Sequence, residues 1–132
     1  MQVIIGSTDI TEYIQEKTYD INAQRSYTSW TDSNFREHRD NIYEKISGSF
    51  QMVFFDGYSV NGVTVDKFAD LLDLVEANTT DGVTTLRLTV NNLNAELKTI
   101  SCYVDIQANP MLYAKNGSNV VVKRVTFNIQ EQ

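Results

Sequence analysis

The 132-residue chain has one cysteine, one proline, one histidine and one tryptophan, and each scarcity excludes something. A lone Cys102 forms no internal disulfide, and no Cys/His cluster has the spacing to hold zinc. It lies in an alternating apolar stretch and reads as a small buried hydrophobe. The only histidine, His38, sits in the polar run Arg36-Glu37-His38-Arg39-Asp40. That context is solvent-facing, whereas a Ser–His–Asp arrangement needs a buried, oriented imidazole. The single proline, Pro110, is placed between strands, where its missing N–H costs least. No apolar run is long enough to span a bilayer. The opening Met1-Gln2-Val3-Ile4-Ile5-Gly6 has neither a basic region nor a long apolar core, so it does not read as a signal peptide. The expectation is a soluble product made in the cytoplasm. A formal net charge of −6 opposes binding to phosphate backbones and anionic membrane surfaces. Specific nucleic-acid binding and membrane insertion are therefore not expected.

What is present suits one globular domain. Hydrophobic residues make up 42% and charged residues 21%, enough apolar content for a continuous core at this length. Four of the six glycines follow Asn or Asp: Asp56-Gly57, Asn61-Gly62, Asp81-Gly82 and Asn116-Gly117. Such pairs supply the positive φ angles of tight turns. Between them the pattern alternates with period two, which predicts strands. Gln2–Ile5, about Thr18–Ser26, Ile46–Phe55, Val83–Val90, Lys98–Ile106, Met111–Lys115 and Val121–Ile129 are the candidates. Asn91-Asn92-Leu93-Asn94 should join two of them as a hairpin, and Asn116-Gly117 another two. Val53 and Phe55 make the end of one strand apolar on both sides, which suggests burial between layers. Lys123 interrupts the apolar face of the last strand.

One segment has another period. Phe68, Leu71, Leu72 and Val75 fall at i, i+3, i+4 and i+7, the apolar stripe of a helix. Asp66 can cap its start. The predicted architecture is mainly β: an antiparallel β-sandwich or partly closed barrel, one domain over residues 1–132, with one flanking helix at about 66–78. Phe50, Met52, Phe54, Phe68, Leu71, Leu72, Val75, Leu86, Leu88, Val104, Val125 and Phe127 are the expected core.

Residues 27–45 are too long for a tight turn and poorly periodic, yet rich in aromatics. The window 27–55 holds seven of the fourteen aromatic residues. Connections of this length usually have a function of their own. Basic residues among aromatics also suit single-stranded nucleic acid. Here Arg25, Arg36, Arg39 and Lys45 are offset by Asp32, Glu37, Asp40 and Glu44, so no positive groove forms. The segment reads as a protruding arm or long loop packing on a neighbouring subunit, or as a loop folded over its own core. Tyr27, Trp30, Phe35, Arg36, Arg39 and Tyr43 are the candidate interface residues, with Trp30 as anchor, because Trp, Tyr and Arg are enriched at interface hot spots.

Catalytic parts are lacking. Asp66, Asp70 and Asp73 follow helical spacing and could bind a hard cation or do acid–base work. The helix dipole accounts for acids near that helix start without either role. No P-loop, dinucleotide fingerprint, EF-hand or nucleophile elbow appears. The sequence reads as a non-enzyme with no cofactor, no metal and no catalytic residue. Asn78-Thr79-Thr80 and Asn116-Gly117-Ser118 match glycosylation sequons by chance.

The layout resembles small tail proteins of siphophages and of prophages in Gram-positive bacteria. The likeness rests on the order of parts. Val3-Ile4-Ile5-Gly6-Ser7-Thr8-Asp9-Ile10 and Tyr13-Ile14 open the chain. The polar arm Ser29-Trp30-Thr31-Asp32 to His38-Arg39 follows, then the strand entered through Lys45-Ile46-Ser47-Gly48-Ser49-Phe50. The Leu-Leu helix Phe68 to Val75 precedes a strand-rich end. The resemblance implies a tail-tube-like or baseplate-proximal virion protein, made in the bacterial cytoplasm, forming a ring-like homo-oligomer with itself and meeting other tail proteins. Two other readings stand beside it: a small carbohydrate- or host-recognition β-sandwich, with Trp30 and Tyr58 stacking on sugars, and a monomeric tail assembly or connector protein.

Overall fold

The structure is a computed structural model that describes residues 1–115 and 118–132; the side chains at 25–30, 37–44 and 111–119 lie outside the description. The Asn116-Gly117 turn falls on residues outside it. In chain order the strands are β1 (Val3–Ile5), β2 (Thr8–Asp9), β3 (Asp20–Thr31), β4 (Glu37–Asp56), β5 (Ser59–Val60) and β6 (Val63–Thr64). The helix α1 (Lys67–Ala77) follows, then β7 (Thr79–Thr80), β8 (Val83–Val90), β9 (Glu96–Lys115) and β10 (Ser118–Glu131). Short 3-10 turns at Thr11–Tyr13 and Glu16–Thr18 link β2 to β3.

Eight strands form one antiparallel sheet in the order β2-β1-β8-β9-β10-β4-β3, with β7 paired to the start of β8. The sheet is curled but not closed, as in a partly closed barrel or sandwich. Alternation decides which side chains fill the concave face. Phe50, Met52 and Phe54 of β4, Val125, Phe127 and Ile129 of β10, Ile100 and Cys102 of β9, and Leu86, Leu88 and Val90 of β8 are all buried there. Aromatic rings bind these layers together. Phe50 stacks on Phe127 at 5.0 Å between centroids and on Tyr19 at 5.6 Å, and Tyr13 stacks on Phe54 at 4.9 Å.

Two side chains draw the sheet round. The amide of Asn92, in the β8–β9 turn, accepts from Ala23 N at 2.6 Å and donates to Ala23 O at 2.6 Å. It thus satisfies both backbone groups of one residue on the outer edge of β3, as a further strand would. Asn91 N donates to Ile21 O at 2.9 Å, and the Tyr19 hydroxyl donates to Thr89 O. Asn92→Ala removes both bonds to Ala23. The loss expected is about 1–3 kcal/mol, the range for half-buried hydrogen bonds left unmade, read as a lower urea midpoint at constant m-value.

Gly48 is the tightest point of the curl. It lies on the concave face between Ile21 of β3 and Ile129 of β10, at φ +146. A Cβ there would overlap the Asp20 carbonyl oxygen. The turns Asn61-Gly62 and Asp81-Gly82 both hold positive φ at the two central residues, the geometry of two-residue hairpins.

The helix packs on β4 through Phe68, whose ring lies 6.0 Å from that of Phe54, and through the buried Leu71. Asp66 caps it, accepting from Ala69 N at 3.0 Å. Leu72 departs from the expected core and is 41% exposed. The contact face runs through Phe68, Leu71, Leu74 and Val75, so the sheet covers the stripe from one side and leaves its flank to solvent. Phe68, Val75 and Val104 are half-buried rather than fully buried. Phe55 is likewise 59% exposed on the convex face: no second layer covers β4 at that end among the described residues. Met111–Lys115 is not a separate strand but the end of β9, so Pro110 lies inside a strand and not between two.

Candidate assembly surface

The register separates two ribbons from the body of the sheet. β10 pairs with β4 only from Ser47 to Asp56. Residues 37–46 of β4 have no ladder partner but β3. The hairpin of β3 and β4 therefore runs on as a two-stranded ribbon beyond the end of β10. A register shift between Ser26 and Tyr27, opposite Tyr43 and Asn41, leaves Ile42 as the extra residue, and such a bulge increases local twist. At the other end of the same ladder, β9 and β10 continue past Asp56 as a shorter second ribbon, from Lys115↔Ser118 down to Tyr113↔Val120. The two ribbons leave opposite ends of the sheet because β4 and β10 are antiparallel.

The first ribbon ends in a turn built on Asp32. Its carboxylate accepts from Asn34 N at 2.9 Å and Arg36 N at 3.0 Å, while Phe35 N donates to Asp32 O at 3.1 Å. This turn holds Phe35 at φ +59, a position that normally takes Gly or Asn. A bulky side chain there is strained by about 1 kcal/mol or more. The ring is also 91% exposed, so no contact among the described residues compensates. Arg36 beside it is exposed. Tyr27, Trp30, Arg39 and Tyr43 are placed in the ladder of β3 and β4 by their backbone, as is His38; their side chains lie outside the described residues. The sequence singled out Phe35 for its type. Its left-handed backbone, the sharper signal, follows from how the Asp32 turn closes.

Along β9 a second feature appears. Ser101 O accepts from Gln132 N on the β10 side, so odd-numbered residues of β9 direct their N–H and C=O toward β10 and even-numbered ones away from it. From Glu96 to Cys102 the far side is taken by β8. Beyond Cys102 no described strand pairs with it. The N–H and C=O groups of Val104, Ile106 and Ala108 thus face an open edge. Pro110, the next in that series, has no N–H to leave unpaired there, which is why a strand accommodates it.

Three charged groups outside the arm, Asp56, Asp66 and Lys123, tie the helix to the sheet. Asp56 is buried, at 2% exposure. Its carboxylate accepts from Lys67 N at 2.7 Å and Phe68 N at 3.2 Å, and pairs with Lys123 Nζ at 3.5 Å. Lys123 also reaches Asp66 at 3.4 Å and lies 5.3 Å from the centre of the Phe68 ring. The lysine that breaks the apolar pattern of β10 therefore ties that strand to the start of α1. The hydrogen bond from Ala69 N, with help from Lys123, holds the Asp66 carboxyl below its ordinary range. Burial pushes the Cys102 thiol up to about 12, so it stays protonated and unreactive at neutral pH. Among the described residues no three His, Cys, Asp or Glu side chains converge as a metal site. The hollow between the Thr11–Tyr13 turn and α1, about 290 Å³, has Ile10, Tyr13, Phe54, Leu71 and Leu74 as its apolar lining.

These features define a mainly-β protein with one helix and two projecting ribbons. No family model, no curated protein and no solved structure matches the chain. Among the described residues no helix is long and apolar enough to cross a membrane.

Proposed function

We propose that this chain is a non-enzymatic structural subunit that assembles with copies of itself through its aromatic arm, in the setting that its layout resembles, a phage or prophage tail. The observation that carries the reading is Phe35. A phenyl ring held almost fully exposed, at the tip of a ribbon, on backbone that disfavours it, contributes nothing to the stability of its own subunit. Strained, exposed apolar groups of this kind belong to contact surfaces. Opposed ribbons suit head-to-tail contacts, which close into rings or continue as stacks depending on the rotation between copies.

The test separates a contact role from a folding role. Phe35→Asn relieves the backbone, because Asn tolerates the left-handed region. The variant is expected to melt at the same temperature as the parent or slightly above it. Its self-association should weaken tenfold or more, about 1.4 kcal/mol. Light scattering and thermal unfolding over a range of concentrations read both. An unchanged association constant would mean that Phe35 contacts no second copy, and the reading would fail.

A further inference from the structure

We infer that the surface receiving the arm is the open edge of β9 in a second copy, with residues 25–31 of β3 adding to it as an antiparallel strand. The inference rests on the assembly reading above and names its partner surface. Four observations point to it.

The two edges are both open. The odd-numbered residues Ile21 and Ala23 of β3 direct their backbone groups outward, where Asn91 and Asn92 bond them. That seal stops at Ala23. From Arg25 on, no described strand pairs with the outer edge of β3. Unpaired strand edges of this length are templates for another chain.

Their lengths agree. Residues 25–31 span seven positions before the Asp32 turn, and 103–109 span seven before Pro110. Four residues of 25–31 direct their backbone groups outward: 25, 27 and 29 meet the three open on β9, 108, 106 and 104, and Thr31 lies beyond them, level with Cys102, where β8 already pairs.

Their directions and heights agree as well. β3 is antiparallel to β4, β4 to β10 and β10 to β9. β3 is therefore antiparallel to β9, and two copies in the same orientation present the edges correctly for pairing. Arg25 stands level with Glu44 of β4, and Ala108 stands level with Met52 through Val125. Bringing Arg25 beside Ala108 needs a shift of eight residues along the strand axis, about 27 Å at 3.4 Å per residue. The contact is thus staggered, head to tail, and repeats from copy to copy.

The chemistry is complementary. Residues 25–31 carry one charge, Arg25, and residues 103–109 carry one of opposite sign, Asp105, so the pairing sets no like charges together, although with Arg25 beside Ala108 the two lie on opposite faces. Tyr27, Thr28, Trp30 and Thr31 are strand-favouring types. Val104 and Ile106 are only half-buried beside the open edge and Ala108 is exposed, so the core is unfinished where the added strand would lie.

Ala108→Pro tests this in the full chain. Position 108 is exposed and its N–H faces away from β10, so proline there leaves the β9–β10 ladder whole, as Pro110 already does. The variant is expected to keep its circular dichroism and to associate at least tenfold more weakly. Hydrogen exchange of the parent supplies a second readout that needs no variant. The amides of Val104, Ile106 and Ala108 should gain protection as concentration rises through the association range, together with those of Arg25, Tyr27 and Ser29. Protection confined to the arm, or normal association of a folded Ala108→Pro, overturns the edge pairing while leaving the assembly reading intact. A parent chain that stays monomeric at every concentration overturns both.

Discussion

Replacing Gly48 by alanine is expected to lower stability by about 3 kcal/mol or more, from overpacking and backbone strain acting together. At φ +146 the residue occupies backbone that an L side chain rarely adopts. The added methyl would also point at the Asp20 carbonyl oxygen and the Ile21 backbone, and backbone cannot rotate out of the way as a side chain can. The only relief is to part β3 from β4 where the sheet curls most, beside the buried Ile21 and Ile129. That movement would pull Ala23 from Asn92 and uncover Phe50. Thermal unfolding should show a midpoint lower by roughly 10 °C or more. Ser49→Ala, one residue along on the other face, serves as the control and should change it little. A Gly48→Ala protein that melts with the parent would show that the curl does not depend on this glycine.

Asp56→Ala carries the second large effect, about 3 kcal/mol, because removing one partner of a buried ion pair leaves the other uncompensated. Three groups lose their acceptor at once: Lys67 N, Phe68 N and Lys123 Nζ. The first two are free N–H groups of the first turn of α1, which nothing else in the helix can satisfy. Lys123 keeps Asp66, but that pair is exposed and weak. Asp56→Asn retains one of the two acceptor oxygens that the helix uses and loses the charge, so its cost should be smaller than that of Asp56→Ala but well above zero. The Asp66 cap adds a pH dependence. Its folded carboxyl titrates below the ordinary value, so its contribution is present above the unfolded carboxylate range and is lost as pH falls through the folded value. Denaturant midpoints should therefore fall on acidification below about pH 4. Asp66→Asn should flatten part of that slope.

Much of the fold was legible. Val83–Val90 is a strand with the predicted bounds, and the helix of about 66–78 is Lys67–Ala77 with Asp66 as its cap. Periodicity works there because one neighbour decides which face is buried. It fails where two neighbours compete. Leu72 fits the helical stripe as well as Leu71 does, but the helix lies against β4 from one side. Phe55 looks buried by composition, yet only a second layer could have covered it. Pro110 and Lys123 both read as interruptions. Each is accommodated by a partner far along the chain: the unpaired edge in one case, Asp56 in the other. In the candidate surface the residue types of 27–45 drew attention to the arm. The exposed, left-handed Phe35 and the open side of β9 were not legible, because backbone angle and ladder partner are properties of the folded chain.

The sequence by itself determined the strand-rich class, the single helix and its cap, the turn glycines and the aromatic richness of the arm, because these follow from alternation, capping chemistry and local φ preferences within a few residues. Only the tertiary structure decided the strand order, the seal of Asn92 on β3, the ion pair of Lys123 and the two edges left open. Those depend on which distant strands meet and in what register, and a register of period two is fixed by the faces of both partners at once.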